Sequence, residues 1–261
     1  MLLRPPGPIE RRSGIFRSLV PCALAICLAA GLASPAHSGG GSYMVPDHLP
    51  SSQRAEQAWE RRAPFLESQL QGQGLELGAP IFIRIFKASR ELEVLVQGRD
   101  GFELFSTYRI CNMSGDLGPK MVQGDEQAPE GFYEVSADWL NPRSEFHLAF
   151  NIGYPNELDR RLGRTGSSIM VHGGCSSRGC FAMTDTRMEE IYTLAKAALR
   201  HSQESFQVHV FPFRMTEENL EQNRDSPWYE FWRNLQRGHD FFYERGRPPR
   251  VVAHSGQYWF R

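Results

Sequence analysis

The stretch from Ser167 to Asp185 constrains the fold more than any other part of the chain. A short apolar run, Ile169 to Val171, ends at His172, and Gly173 and Gly174 follow directly. Cys175 and Cys180 then lie in a loop with Ser177, Arg178 and Gly179, and the segment after Cys180 leads into a helical pattern. This order requires a strand that stops abruptly, a tight turn and a helix start. Glycines supply the backbone freedom for such a turn, and the N–H groups of Gly173, Gly174 and Gly179 are open to a substrate. A thiol becomes a useful nucleophile near neutral pH when a base or a positive field favours the thiolate. His172 can serve as that base if the loop folds back. The rest of the chain reads as a scaffold for this loop.

The scaffold is predicted to be mainly β in an α+β arrangement, one domain with an appendage. Ile81 to Phe86 is a strand, and Glu91 to Gln97 alternates Leu92, Val94 and Val96 with polar residues. Phe102 to Ile110 continues the sheet after a hairpin turn at Asp100-Gly101. Gly115 to Gly131 reads as a surface loop. Phe132–Val135, Phe146–Ile152, Ser168–Val171 and Phe206–Phe213 are further strands, and 151–166 is a long polar loop. Thr186 to Glu189 looks like a capping box, opening a helix whose buried face holds Met188, Ile191, Tyr192, Ala195 and Leu199. Residues 215–261 read as a helical tail. Its aromatics, Trp228, Tyr229, Phe231, Trp232, Phe241, Phe242 and Tyr243, pack on the domain or help line a groove for glycan or peptide.

At the other end, Arg11, Arg12 and Arg17 precede an apolar run from Leu19 to Leu32, and Ala33, Ser34, Ala36 and Ser38 follow. This is the three-part layout of a secretory signal over residues 1–38, with Ser34-Pro35-Ala36 as the cleavage site. Export to the bacterial periplasm is the expectation, and a retained membrane anchor facing the periplasm is the alternative. Residues 39–52 read as a disordered linker. Residues 53–79 read as a helical segment that Pro64 can break. With Cys22 and Cys27 in the signal, three cysteines remain, too few for a disulfide scaffold. Cys111 reads as a core residue at a strand end. Cys175 either packs in the loop or bonds Cys180 in an oxidising compartment. A formal net charge of −1 supplies no basic field for nucleic acid.

His172-Gly173 with Ser177-Arg178-Gly179-Cys180 resembles the signature of the YkuD-type L,D-transpeptidases, and the YafK-like branch is the nearer match. Three stretches carry the resemblance: Phe146–Asn156, Gly163–Gly166 and Met170–Asp185. It covers roughly Pro80 to Arg214, so 80–214 is the expected catalytic domain. The resemblance implies a mainly β, YkuD-like sandwich or mixed-sheet domain, with a helix after a cysteine nucleophile. It implies Cys180 as nucleophile, His172 as base and the Gly173 carbonyl as the group that orients the imidazole. Amides beside Cys180, that of Gly179 among them, would form an oxyanion hole. Ser177, Arg178, His147 and Arg164 would line the substrate site. No metal or other cofactor is implied.

The implied partners are peptidoglycan stem peptides bearing meso-diaminopimelate and a lipoprotein linked to the wall. YafK-like members are associated with hydrolytic release of that lipoprotein; making 3-3 crosslinks or attaching lipoprotein is the alternative. Two features depart from the common signature. Arg178 stands where a histidine is usual, and an always-charged arginine can favour a thiolate or bind a carboxylate but cannot exchange protons. His172 and Cys180 are also closer in sequence than in many such domains. Arg160, Arg161 and Arg164 are by default a solvated face, and a negatively charged stem peptide would make one or two of them carboxylate clamps. His172, Cys175 and Cys180 could instead hold zinc, with His147 or His209, or the chain could be a wall-binding module without activity.

Overall fold

The computed structural model describes residues 49–261. The expected signal, Cys22, Cys27 and the linker through residue 48 lie outside the described residues. α1 (Gln53–Gly72) begins at Ser52, whose side chain accepts from the Ala55 N–H, a standard N-cap. Leu49 packs against the core and Ser52 Oγ donates to Pro142 O at 2.7 Å. The end of the expected linker therefore belongs to the fold. Pro64 does not break α1; it lies on the exposed face, where water can serve the carbonyl that proline leaves unpaired.

A five-stranded sheet in the order β3-β2-β1-β9-β4 forms the frame. Its members are β1 (Ile81–Phe86), β2 (Glu91–Gln97), β3 (Phe102–Arg109), β4 (Gly131–Ser136) and β9 (Ser205–Phe211). All pairings are antiparallel except β1 with β9. Every residue of β1 is buried, which suits its apolar residues; the one charged member, Arg84, pairs with Glu93 of β2 at 2.6 Å. Ile81, Ile83 and Ile85 face one core, while Phe82 and Phe86 face the other, as the two-residue repeat of a strand requires. On the first face lies a smaller sheet, β5-β6-β7-β8, built from β5 (Leu140–Asn141), β6 (Ala149–Asn151), β7 (Met170–His172) and β8 (Phe181–Ala182). Phe150, Val171 and Phe181 from this sheet share a core with α1 and with α3 (Asp185–His201).

The opposite face is covered by residues 215–261. They form α4 (Glu217–Gln222) and α5 (Tyr229–Arg245) but end in a hairpin, β10 (Val251–His254) with β11 (Gln257–Phe260). The tail is thus not helical throughout: β-favouring residues flank a Ser255-Gly256 turn, with both turn residues at positive φ. Trp232, Leu235 and Tyr258 bury against Phe86, Phe132 and Phe211, and Phe242 joins Phe82. The aromatic excess is therefore largely packing. One polar node runs through this layer. Lys87 Nζ donates to Gly118 O, Ala128 O and Glu130 at 2.7, 2.9 and 3.0 Å, and Trp232 Nε1 donates to Glu130 at 2.7 Å. All three side chains are buried, so the glycine-rich 115–131 loop is anchored from beneath by a charge pair and an indole.

The 151–166 loop contains a short helix, α2 (Glu157–Arg161), opened by a capping box between Asn156 and Asp159. The expected capping box at Thr186 is not formed. α3 starts at Asp185 after Thr184, which makes no side-chain cap, and Glu189 is drawn instead into ion pairs with Arg61 and Arg62 of α1.

Candidate active site

β7 and β8 run parallel, with Val171 opposite Phe181 and His172 opposite Ala182. Val171 and Phe181 enter the core. His172 and, one position before β8, Cys180 therefore project from the other face. His172 Nδ1 lies 2.6 Å from Gly173 O. A carbonyl only accepts, so Nδ1 carries the hydrogen and Nε2 is left as the basic nitrogen. The Phe146 ring packs on the imidazole at 4.7 Å between centroids. Position 173 admits only glycine: a Cβ there would meet Asp185 Oδ1 and Phe146 O at 2.7 Å and His147 Cβ at 2.8 Å. Asp185 also accepts from Gly174 N at 2.8 Å, which ties the turn to the first residue of α3.

Cys180 is the free cysteine among the described residues. Its Sγ accepts from Met170 N at 3.4 Å and its S–H points to Ser168 O at 3.6 Å. Burial pushes the thiol up from its ordinary value, against the opposing pull of the Met170 N–H and the Lys120 charge. Burial likewise holds the His172 imidazole down, offset in part by the Gly173 carbonyl. Both shifts favour the neutral thiol and the neutral imidazole. A nucleophilic role for this thiol would require that it lose its proton as it attacks.

The other expected site residues divide. Ser177 Oγ donates to Cys180 O at 2.7 Å and so shapes the turn. None of the three glycine amides expected to be open is free: Gly179 N–H donates to Ser114 Oγ at 2.6 Å, Gly174 N–H to Asp185 and Gly173 N–H to Leu148 O at 3.0 Å. Gly179 has φ +84, and a Cβ there would lie 3.2 Å from Gln127 O, so its glycine is a turn requirement. Arg178 does not polarise the thiol: its side chain is 86% exposed and reaches toward Glu126 at 4.0 Å. Arg164 is no carboxylate clamp. Its side chain is 4% exposed and pairs with Asp159 at 2.8 Å, over the Phe231 ring. His147 Nε2 lies 3.0 Å from Glu189, which ties its ring to α3. Cys111 and Cys175 form a disulfide. Cys111 is thus a cross-linked residue, Cys175 bonds neither the core nor Cys180, and a zinc set of His172, Cys175 and Cys180 loses one ligand.

Several contributors were not singled out from sequence. Lys120 adds a smaller opposing pull on the thiol, after burial and the Met170 N–H, while its ammonium pairs with Asp125 and donates to Val122 O at 2.9 Å. Ser114 braces Gly179, and Asp185 braces Gly174. Three non-glycine residues around the site adopt positive φ: His147 (68), Ser168 (60) and Thr184 (73). Such strain collects where surrounding structure dictates a geometry that local preference does not. No local pattern marks these positions.

A two-sheet α+β domain with a histidine ending one strand and a free cysteine just before its parallel neighbour defines the class. The L,D-transpeptidase catalytic domain family, YkuD, matches residues 81–210, and the chain belongs to that family. Among its relatives is YafK of Escherichia coli (strain K12), provisionally described as an L,D-transpeptidase: 42% identical over 182 residues, 70% of this chain and 74% of that protein. Among solved structures, the chain also matches the helical cell shape determining protein Pgp2 from Campylobacter jejuni, at 19% identity and TM-score 0.40 over 72% of this chain and 79% of that one. Bdellovibrio bacteriovorus Bd1075 matches at 17% identity and TM-score 0.37, over 67% and 78%.

Proposed function

We propose that this chain is a periplasmic cysteine enzyme that cleaves an amide at meso-diaminopimelate in peptidoglycan stem peptides through an acyl-enzyme on Cys180. The observation that carries the reading is the Nδ1–Gly173 hydrogen bond. It leaves Nε2 of His172 unprotonated on the face of the sheet that Cys180 shares.

The thiol turns from Ser168 O toward His172, and Nε2 takes its proton as sulfur bonds the substrate carbonyl carbon. The Gly173 carbonyl stabilises the imidazolium so formed. The tetrahedral intermediate collapses, the amine leaves with the proton returned from Nε2, and a thioester remains on Cys180. Water activated by the same imidazole then releases the acid. Lys120 and the Met170 N–H favour negative charge on sulfur during attack. Identity to a YafK relative supports action on the wall, and we read the deacylation as hydrolytic, releasing a lipoprotein from diaminopimelate. An amine in place of water would make a 3-3 crosslink by the same first half.

The test is mass spectrometry of muropeptides after incubation with the purified protein. Lipoprotein-linked muropeptides are expected to disappear, and Cys180→Ala to lose several orders of magnitude in rate. Formation of 3-3 dimers with lipoprotein-linked species left intact would establish transpeptidation instead. Full activity in Cys180→Ala would overturn the mechanism.

A further inference from the structure

A cavity of about 660 Å³ lies between β4, α2 and the C-terminal hairpin, and neither His172 nor Cys180 lines it. Arg160, Arg247, Arg250 and Arg261 line it with only two carboxylates, Glu134 and Glu157. Both carboxylates are engaged elsewhere: Glu157 pairs with Arg161, and Glu134 accepts from Ser205. Arg247, Arg250 and Arg261 make no ion pair with a side-chain carboxylate among the described residues. Guanidinium groups left unpaired around a concavity suit carboxylates, which they bind in a two-point fork. Trp139 forms another wall and is 44% exposed, although the nearby aromatics Phe132 and Tyr258 are buried. An exposed indole beside cationic groups is a flat apolar face for a sugar ring or a peptide stem.

The groove and the candidate catalytic site share a loop. Gly153, Asn156 and Arg160 line the groove. Between them, Tyr154 OH donates to Lys120 O at 3.2 Å, and the Lys120 charge is one of the groups felt by the Cys180 thiol. A polymer that repeats its anionic peptides along a glycan could occupy both at once. We propose that this arginine-walled groove is a second binding site, holding a carboxylate-bearing stem peptide of the same polymer while another is processed at Cys180. The proposal rests on the stem-peptide reading above. Its consequence is tethering: the groove raises the effective concentration of substrate peptides at the site without taking part in chemistry.

The test is co-sedimentation of the full chain carrying Cys180→Ala, so that nothing is turned over, with purified peptidoglycan sacculi. Adding Arg247→Ala with Arg250→Ala is expected to weaken binding by about tenfold or more, and lysine at both positions to restore part of it. Trp139→Ala, on another wall, should weaken binding independently. Sacculi whose carboxylates have been amidated should bind poorly, and added salt should release the protein. With Cys180 intact, the arginine double variant should cleave a single soluble stem peptide at the unaltered rate. Equal sedimentation of the arginine variant and its parent would overturn the proposal. So would arginine-dependent binding to anionic phospholipid vesicles but not to sacculi, which would make the groove a lipid site. Because binding is read without turnover, failure here leaves the Cys180 mechanism standing, and activity in Cys180→Ala would leave this result standing.

Discussion

Breaking the Cys111–Cys175 bond should destabilise the whole domain. The two cysteines are 64 residues apart. A loop of that length loses enough unfolded-state entropy on closure to stabilise the fold by about 4 kcal/mol in the chain-entropy account. For a domain of this size each kcal/mol moves the thermal midpoint by about 2–4 °C. Cys111→Ser with Cys175→Ser is therefore expected to lower Tm by roughly 8–16 °C, and dithiothreitol should do the same to the parent protein. Thermal unfolding followed by circular dichroism reads this directly. The pairing itself can be read by mass spectrometry under non-reducing conditions. Arg178 separates Cys175 from Cys180, so trypsin places them on different peptides. A linked pair containing Cys111 and Cys175 is expected, with the Cys180 peptide free. A Cys175–Cys180 linkage, or a Tm change under about 2 °C, would refute the reasoning. A packing thiol at Cys175 would have cost only about 1 kcal/mol.

Alkylation of Cys180 by iodoacetamide should be slow at neutral pH and climb above the ordinary thiol range, because burial raises its pKa; a reactive plateau extending below pH 7 would contradict the neutral resting pair. Arg164→Ala should destabilise the protein by about 3–5 kcal/mol by stranding the buried Asp159 carboxylate, and denaturant titration checks it. If Arg164 clamped substrate instead, KM would rise with stability intact. Stability should also fall below about pH 6.5. Burial lowers the pKa of His172, His209 and His239 in the folded state, so the unfolded chain takes up protons first. Each histidine adds a slope of up to about 1.4 kcal/mol per pH unit as acid is added. Urea midpoints at pH 7, 6 and 5 measure this, and a midpoint unchanged across that range would count against it.

Strands with a clear repeat were legible in the chain: β1, β2 and β9 fall within a residue or two of their expected limits. Phe146 and His147 were not, because their apolar neighbours mimic a strand. The backbone at His147 instead turns through positive φ and passes close over Gly173. The loop that holds His172 and Cys180 stands out in the sequence because glycines and serines cluster there, and the parallel pairing of β7 with β8 sets the two residues on one face of the small sheet. The electrostatics were not. Arg178 looked like the charge for the thiol, being two residues away, but a turn directed it to solvent. Lys120, distant in sequence, arrives through the 115–131 loop. Arg164 looked like a surface group because its neighbours Arg160 and Arg161 are. Its partner Asp159 sits five residues back across the end of α2, and only the fold determines that both are buried. The disulfide was equally hidden, since cysteine spacing does not specify pairing.

The Lys87–Glu130–Trp232 node bears on how far this domain is modular. The family match ends at residue 210, yet the indole that serves Glu130 lies in α5. A chain cut after β9 would uncover the lysine–glutamate pair, remove one of its donors and open the face formed by Phe86 and Phe211 to water. Transplanting the catalytic segment onto another protein would meet the same difficulty. The portable unit is therefore larger than the matched segment, and an exchange between relatives would need to move Glu130 together with the helix that carries Trp232.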